Sequence, residues 1–268
     1  MTPLDLWQTG KPRAALAAAE RAAKFGDDRA KLLHFEIAAA LGRTAAAAAA
    51  LRSIDRNDEA WTNSRRDFLR LLKGGVRRKR AEYGFTTEAV PVHARARRSA
   101  LRAARRGDQA AAQRFVDRAD AAAPTIAGHV DGREFAELRD IDDGFASVLE
   151  VLVGACVLLI PWEQLRRIRL QPAEGLLDTI LRPAELVLAS RETVACRLPL
   201  TYPRSERLGG RWACGRETDR MQFDDGPVRG AGARMLLTHD EEFALGHCRQ
   251  IDLQPHGGSI PRSASGGA

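Results

Sequence analysis

The sequence lacks the cysteine patterns that metal and redox sites use. Its four cysteines all lie in the second half, at Cys156, Cys196, Cys214 and Cys248. None belongs to a Cys-x-x-Cys pair, so neither a zinc ribbon nor a thioredoxin-like redox site is indicated. We therefore expect no disulfide framework and reduced thiols, as in cytoplasmic proteins.

Long hydrophobic runs are also missing. The longest, from Val151 to Trp162, is interrupted by Gly154 and Pro161 and falls short of the roughly 18 apolar residues that a membrane-spanning helix needs. Residues 1–5 show no basic segment followed by an apolar one, so no secretory signal is indicated. The expectation is a cytoplasmic protein that does not enter a membrane.

Recognisable catalytic and nucleotide motifs are absent as well. No serine lies in a Gly-x-Ser-x-Gly elbow. The glycine-rich segment 226–232 has no Lys-Ser/Thr pair, so it predicts a tight loop and not a phosphate loop. His239 and His247 are eight residues apart, which is not the spacing of two ligands on one helix face, and the segment with Asp240 and Cys248 is interpreted as a surface helix with a structural cysteine.

One acidic cluster keeps an enzymatic alternative open. Asp140, Asp142 and Asp143 suggest a cation site, but an EF-hand loop starting at Asp140 would need Gly and Glu where Phe145 and Val151 stand. A magnesium site with two carboxylates remains compatible with the sequence. The favoured interpretation is that these aspartates cap a turn, pair with arginines or meet a partner, and no cofactor is expected.

Positive charge is concentrated in the first half. Residues 1–125 hold 25 Lys and Arg against 14 Asp and Glu, whereas residues 126–268 hold 17 against 21. Arg77 to Arg80 form one basic run, and Arg98, Arg102, Arg105 and Arg106 share one face of a predicted helix. Nucleic-acid binding is an open alternative, but without interleaved aromatic residues a solvated helical surface is favoured.

The first half has the glycine spacing of paired helices. Gly10, Gly42 and Gly107 each start a turn before alanine-rich sequence, at separations of 32 and 65, and Gly74-Gly75 falls between the last two. A period near 32–34 is typical of tetratricopeptide-like helix pairs, in which each pair covers its neighbour's apolar side. Residues 1–125 are therefore predicted to form a helical repeat domain.

The texture changes at Pro124, and the second half predicts short strands. Strands are expected within 148–159 and 166–170, and a hairpin is expected from 185–188 and 193–200. Short helices or turns are expected at 176–181 and 238–243. The predicted fold class is α+β: tetratricopeptide-like helical repeats, then a smaller β-rich domain over 126–254 and a disordered tail over 255–268.

Between Gly128 and Asp252 the sequence contains a series of short fixed words. They are Asp131-Gly132, Asp140-Ile141-Asp142-Asp143, Val148-Leu149-Glu150-Val151, Ile160-Pro161-Trp162, Leu198-Pro199-Leu200-Thr201-Tyr202-Pro203, Arg216-Glu217-Thr218-Asp219 and Gly230-Ala231-Gly232-Ala233-Arg234. In this order the series resembles the ImpE/TagJ accessory proteins of bacterial type VI secretion. The chain departs from the family pattern at four places, with Ala146-Ser147 for Gly-Pro, Leu158 for an aromatic residue, Arg220 for Trp and Ala233 for Gln.

The resemblance implies a cytoplasmic adaptor and not an enzyme. Family membership implies binding of the N-terminal helix of the small sheath subunit, with a link to the ClpV unfoldase. The candidate partner-binding residues are Asp140, Asp142, Glu150 and Trp162, and no catalytic or metal-binding residue is assigned. The alternatives are a metal-dependent enzyme that uses Asp140 and Asp142, and nucleic-acid binding by the basic half. Trp162 is also compatible with a purely structural role as a core anchor.

Overall fold

The computed structural model describes residues 1–86 and 89–254. In these ranges seven helices come before the first strand. They are α1 (Pro3–Gln8), α2 (Pro12–Phe25), α3 (Asp28–Ala40), α4 (Thr44–Arg52), α5 (Glu59–Lys79), α6 (Val92–Arg106) and α7 (Gln109–Asp120). The predicted tail over 255–268 lies outside the described residues. No described helix combines the length and the apolar character that crossing a membrane requires.

The second half forms an antiparallel sheet with smaller additions. Its strands are β1 (Gly128–Val130), β2 (Arg133–Phe135), β3 (Leu138–Asp140), β4 (Val148–Val153), β5 (Cys156–Pro161), β6 (Leu165–Leu170), β7 (Leu181–Leu188), β8 (Thr193–Pro199), β9 (Thr218–Met221), β10 (Arg229–Gly232), β11 (Met235–Thr238), β12 (Glu242–Ala244) and β13 (Gln250–Leu253). Eight of them make one sheet in the order β2-β1-β13-β6-β7-β8-β4-β5, while β9 pairs with β10 and β12-β11-β3 form a third group. Two short helices, α8 (Ser205–Leu208) and α9 (Gly210–Ala213), follow β8. The predicted α+β class is confirmed.

Three of the glycines that marked the predicted repeats form turns between helices, as the sequence predicted. Gly10, Gly42 and Gly107 have φ of 73°, 61° and 86°, and each lies in the short turn between consecutive helices. This left-handed conformation costs glycine little because it has no Cβ.

The Gly74-Gly75 pair is different, because it does not mark a repeat turn. Both residues lie inside the 21-residue α5. A Cβ on Gly74 would approach Leu152 Cδ2 to 3.1 Å, so the missing side chain lets α5 pack closely on β4. The Gly74-Gly75 pair therefore reflects a close contact between helix α5 and the sheet.

The strand predictions agree with the structure at most positions. The segment 148–159 is the β4–β5 hairpin, and 166–170 lies in β6. The β7–β8 hairpin turns through Arg191, which has φ of 73°. Residues 177–179 form a short 3-10 helix, as the expectation of a helix or turn allowed.

Two predictions are partly wrong. Segment 238–243 is a turn flanked by the ends of β11 and β12, so the surface helix expected around His239 is absent there. In the glycine-rich segment, Arg229 to Gly232 form β10 and pair with β9, so only its first part is a loop. A Cβ on Gly232 would come within 1.9 Å of the Glu217 carbonyl oxygen, which explains glycine in a strand.

The helical and β-rich halves share their hydrophobic cores. One cluster joins Phe35 and Leu72 of the helices to Leu177, and another joins Trp7 and Ile37 to Ile180. A third joins Ala81, Tyr83, Ala94 and Leu101 to the strands β4 and β5. The largest cluster belongs to the sheet alone. The seam between the halves is therefore packed like an interior.

Candidate functional site

A buried charge network lies where the two halves meet. Arg78, in α5, donates from Nε and Nη2 to the two carboxylate oxygens of Glu150 in β4, at 2.8 and 2.9 Å. Arg234 donates from Nη2 to the same carboxylate at 2.6 Å, and its Nη1 lies 3.5 Å from Oδ2 of Asp140. Tyr202 donates its hydroxyl to Asp140 Oδ1 at 2.7 Å. Two arginines thus face two carboxylates inside the protein.

Aromatic rings complete the environment of Arg234. Its guanidinium lies 4.5 Å from the centroid of the Phe145 ring and 5.2 Å from that of the Tyr202 ring. Both rings offer a negative face to the cation. Arg234 is buried, so the network is shielded from the screening that weakens surface pairs.

Electrostatics in this network differ between its two acids. Burial works to raise the pKa of Glu150, but the charges of Arg78 and Arg234 outweigh it, and the pKa is lowered. For Asp140, burial is the larger effect and raises the pKa to about 7 despite Arg234, with Asp142 adding like-charge repulsion. Glu150 is therefore the fixed anion of the network, and Asp140 is the group that titrates.

Asp142 organises the loop after β3. Its Oδ1 accepts the backbone N–H of Gly144 at 2.8 Å, and its Oδ2 accepts that of Gly230 at 3.0 Å. Arg229 Nε lies 3.0 Å from both oxygens. Next to it, Asp143 accepts the N–H of Val228. The acidic cluster holds the 228–234 segment against the β3–β4 loop, as the favoured interpretation of a turn-capping, arginine-pairing cluster states.

The same contacts bear on the metal-dependent alternative. The oxygens of Asp142 point to N–H donors, and Oδ1 of Asp140 is engaged by Tyr202. Within residues 1–86 and 89–254 no group of three or more His, Cys, Asp or Glu side chains is arranged to hold a metal ion. His239 pairs with Asp240 on the surface, and Cys248 is buried elsewhere.

All four predicted partner-binding residues lie in the interior. The exposed fractions are 1% for Asp140, 0% for Asp142, 0% for Glu150 and 1% for Trp162. The Trp162 ring donates its N–H to the carbonyl of Ala146 at 3.0 Å, which fits the alternative of a core anchor. Direct contact of these side chains with a partner stays a prediction. The structure brings the three acids together and places Trp162 beneath the adjoining loop.

Sequence reasoning missed a second buried cluster. His93 of α6 lies 2.9 Å, through Nδ1, from the hydroxyl of Ser147 and 2.6 Å, through Nε2, from Glu163. Arg97 donates from Nε to the same hydroxyl at 3.1 Å and pairs with Asp120. No local motif links these residues, because they come from α6, the start of β4 and the 3-10 helix 162–164. Ser147 is one of the residues that departs from the family pattern.

A cleft with a largely apolar lining lies between the two halves. Its volume is about 100 Å³. On the same measure one water needs roughly 10–15 Å³, so the cavity has room for an anchoring side chain. We call it the seam cleft, and its lining includes Phe35, Leu71, Leu72, Gly75, Arg78, Lys79, Leu152, Leu177, Leu181, Thr201 and Arg204. Arg78 thus belongs to both the charge network and the cleft wall.

A larger depression of about 700 Å³ lies within the β-rich half. Its charged wall includes Arg211 and Glu217, which pair with each other at 2.6 Å. Glu242, also in the wall, pairs with Arg220. Its wall therefore carries charges of both signs.

Comparison with known proteins assigns the β-rich half. The family profile described as ImpE protein matches residues 132–252. Over this range the chain is similar to the ImpE family. The resemblance recognised from the sequence words is thereby confirmed. The matched range contains every member of the charge network except Arg78.

Two known proteins are similar to larger parts of the chain. The type VI secretion system accessory component TagJ of Pseudomonas aeruginosa is 34% identical over 151 residues, which cover 56% of this chain and 52% of that protein. The match therefore spans about half of the TagJ chain. The crystal structure of protein VPA1032 from Vibrio parahaemolyticus superposes with a TM-score of 0.84 at 19% identity, over 94% of this chain and 97% of that one. This second likeness concerns the fold, including the helical half.

Proposed function

We propose that this chain is a non-enzymatic accessory component of a type VI secretion system that holds the small sheath subunit through its N-terminal helix. The Pseudomonas aeruginosa relative is a type VI secretion system accessory component, which supports the secretion-system role. The prediction of a cytoplasmic location and of a link to the ClpV unfoldase goes with this proposal. The division into domains at residues 125 and 254 remains part of the proposal too.

The observation that carries the binding proposal is the seam cleft. Helices recognise grooves by inserting a few apolar side chains, and the half-buried Leu71 and Leu181 give the cleft an accessible apolar lining. The room fits one or two anchors of a helix, while the rest of the helix lies along the surface. Buried aromatic and aliphatic anchors of this kind supply most of the affinity in many interfaces.

The predicted partner-binding acids have a place in this proposal as the support of the cleft. Glu150 fixes Arg78 through two hydrogen bonds, and Arg78 forms part of the cleft wall. Asp140 and Asp142 hold Arg234 and the 228–230 segment behind that wall. They would then shape the surface that a partner meets without touching the partner.

Filling the cleft tests the proposal. A Cβ at Gly75 meets no atom within 4 Å, and Gly75 lines the cleft, so Gly75→Phe should direct its ring into this space, and a melting curve checks that the variant keeps its fold. Binding of the labelled N-terminal peptide of the sheath subunit to the full chain is measured by fluorescence anisotropy. We expect the affinity to fall by about tenfold or more, equivalent to about 1.4 kcal/mol.

The matched control is Ser64→Phe, which adds the same ring at an exposed position of the same helix. It should leave the affinity unchanged. Equal binding by the wild type and by Gly75→Phe would remove the cleft from the proposal. No binding by the wild type at high micromolar peptide would remove the sheath subunit as the partner.

A further inference from the structure

One end of the seam cleft is crowded with positive charge. A smaller cavity of about 60 Å³ adjoins it and shares Arg78, Lys79, Pro203 and Arg204 with it. The smaller cavity adds Arg105 and Arg229 to its wall. We call this the arginine end of the cleft. Helices α5 and α6 and the 203–207 segment converge there.

Most of these cations already have a carboxylate. Arg78 pairs with Glu150, Arg229 pairs with Asp142, and Lys79 lies 3.2 Å from Glu206. These pairs use the acids of the region, so any further cation is in surplus.

Three arginines form that surplus. Among residues 1–86 and 89–254, Arg204 and Arg207 have no carboxylate within ion-pair distance, and Arg105 donates from Nε to the carbonyl oxygen of Lys79. After burial, the like charges of Arg105, Arg207 and Arg229 are the causes that lower the pKa of Arg204. Glu206 offsets only part of this like-charge crowding at Arg204, because its carboxylate also pairs with Lys79.

The backbone at Arg204 adds a second unfavourable feature. Its φ is 73°, in the left-handed region that is unfavourable for a residue with a Cβ. Arg204 therefore combines conformational strain with like-charge crowding. Such combinations persist mainly where a site needs the side chain.

We propose that the arginine end binds a carboxylate of the docked protein segment, so that the partner helix carries an Asp or Glu beside its apolar anchors. The proposal rests on the proposed function, in which a protein segment occupies the cleft. Arginine suits this role because its planar fork can grip both oxygens of a carboxylate. Leu208, 46% exposed at the end of α8, extends the apolar surface next to Arg207.

The first test removes the guanidinium without damaging the fold. Arg204→Gly suits the positive φ and relieves the crowding, so the melting temperature should stay the same or rise. The same variant should bind the sheath-subunit peptide several-fold more weakly, with a smaller salt dependence. Arg114→Gly would disturb its helix, so the charge control is Arg114→Gln at an exposed position of α7, which should change nothing.

The second test exchanges charges between the partners. Arg105→Glu with Arg204→Glu should weaken peptide binding by about tenfold or more, about 1.4 kcal/mol. Peptides in which each acidic residue is changed in turn to Arg should regain affinity for this double variant at one position. That position identifies the bound carboxylate. Loss of affinity without rescue at any position would overturn the proposal.

A designed helix of Leu and Glu, with a Leu and Gln twin, separates this proposal from the proposed function. If the sheath peptide fails to bind but the Glu helix binds through Arg204 and its Gln twin does not, the proposal stands and the sheath subunit is excluded. If the sheath peptide binds equally to wild type and Arg204→Gly, the proposal falls and the proposed function stands. If neither peptide binds, both fall. Displacement by inorganic phosphate at constant ionic strength would overturn the assignment to a protein carboxylate.

Discussion

The surface of helix α5 and the buried charge network use arginine in contrasting ways. In the helical half, pairs such as Arg70 with Asp67 link neighbouring turns on the surface, with exposed side-chain fractions of 55% and 69%. In the β-rich half, Arg234 is 1% exposed and joins Glu150 and Asp140 inside the protein. Exposed and buried arginines contribute equally to the net charge. Their ion pairs differ in energy because water screens the exposed pairs and is excluded from the buried ones.

Breaking the buried network should have the largest effect. Arg234→Leu would leave Glu150 and Asp140 buried with less compensation, and we expect a loss of about 3–5 kcal/mol in the free energy of unfolding. Chemical denaturation followed by circular dichroism measures it. The matched variant Arg70→Leu removes an exposed arginine and should cost less than about 1 kcal/mol. Similar losses in the two variants would contradict the contrast between the surface of α5 and the buried network.

Asp140 should make the β-rich half sensitive to pH. Its pKa is about 7 in the folded protein, whereas an unfolded aspartate has a pKa of about 3.9. Between these values the folded state holds a proton that the unfolded state has lost. Stability should therefore fall as pH rises from about 5 to 7, by up to about 1.4 kcal/mol per pH unit, and then level off.

The variant Asp140→Asn should flatten this slope in denaturation series across the same pH range. Glu36 and Asp143 also have a pKa raised by burial, so part of the slope should remain. An unchanged slope would show that Asp140 is ionised in the folded protein throughout this range.

The two central glycines of α5 give the smallest and sharpest comparison. Gly75→Ala fills open space in a helix and should stabilise by about 1 kcal/mol. Gly74→Ala gains the same helix propensity but brings its Cβ to 3.1 Å from Leu152, so its net gain should be smaller or negative. Thermal melts of the two variants compare the helix with its contact to the sheet. A larger gain at Gly74 would contradict the close packing of α5 on β4.

Turns and hairpins could be predicted from the sequence, whereas contacts between segments far apart in the chain could not. The turns at Gly10, Gly42 and Gly107 could be predicted because glycine favours φ above zero. The β7–β8 hairpin could be predicted from the two strand-like segments 185–188 and 193–200. The prediction of a repeat turn at Gly74 was wrong because glycine suits both a tight turn and a close contact between two elements. The sequence alone does not distinguish the two. A single sequence cannot show that α5 meets β4.

The candidate site shows the same division. The sequence singled out Asp140, Asp142 and Glu150 as members of family words, but not their pairing with Arg78 and Arg234. Those pairs join residues from distant segments, and arginine is too common in this chain to stand out. The cluster of His93, Ser147 and Glu163 gave no signal because each residue lies in a different element.

The shared hydrophobic clusters have a consequence for anyone who wishes to dissect the molecule. Phe35 and Ile37 pack in the same clusters as Leu177 and Ile180. A cut near residue 125 would therefore expose apolar surface on both fragments. We expect such fragments to be insoluble when expressed alone and to recover when produced together. We therefore expect the described parts of the two halves to unfold together in one cooperative transition.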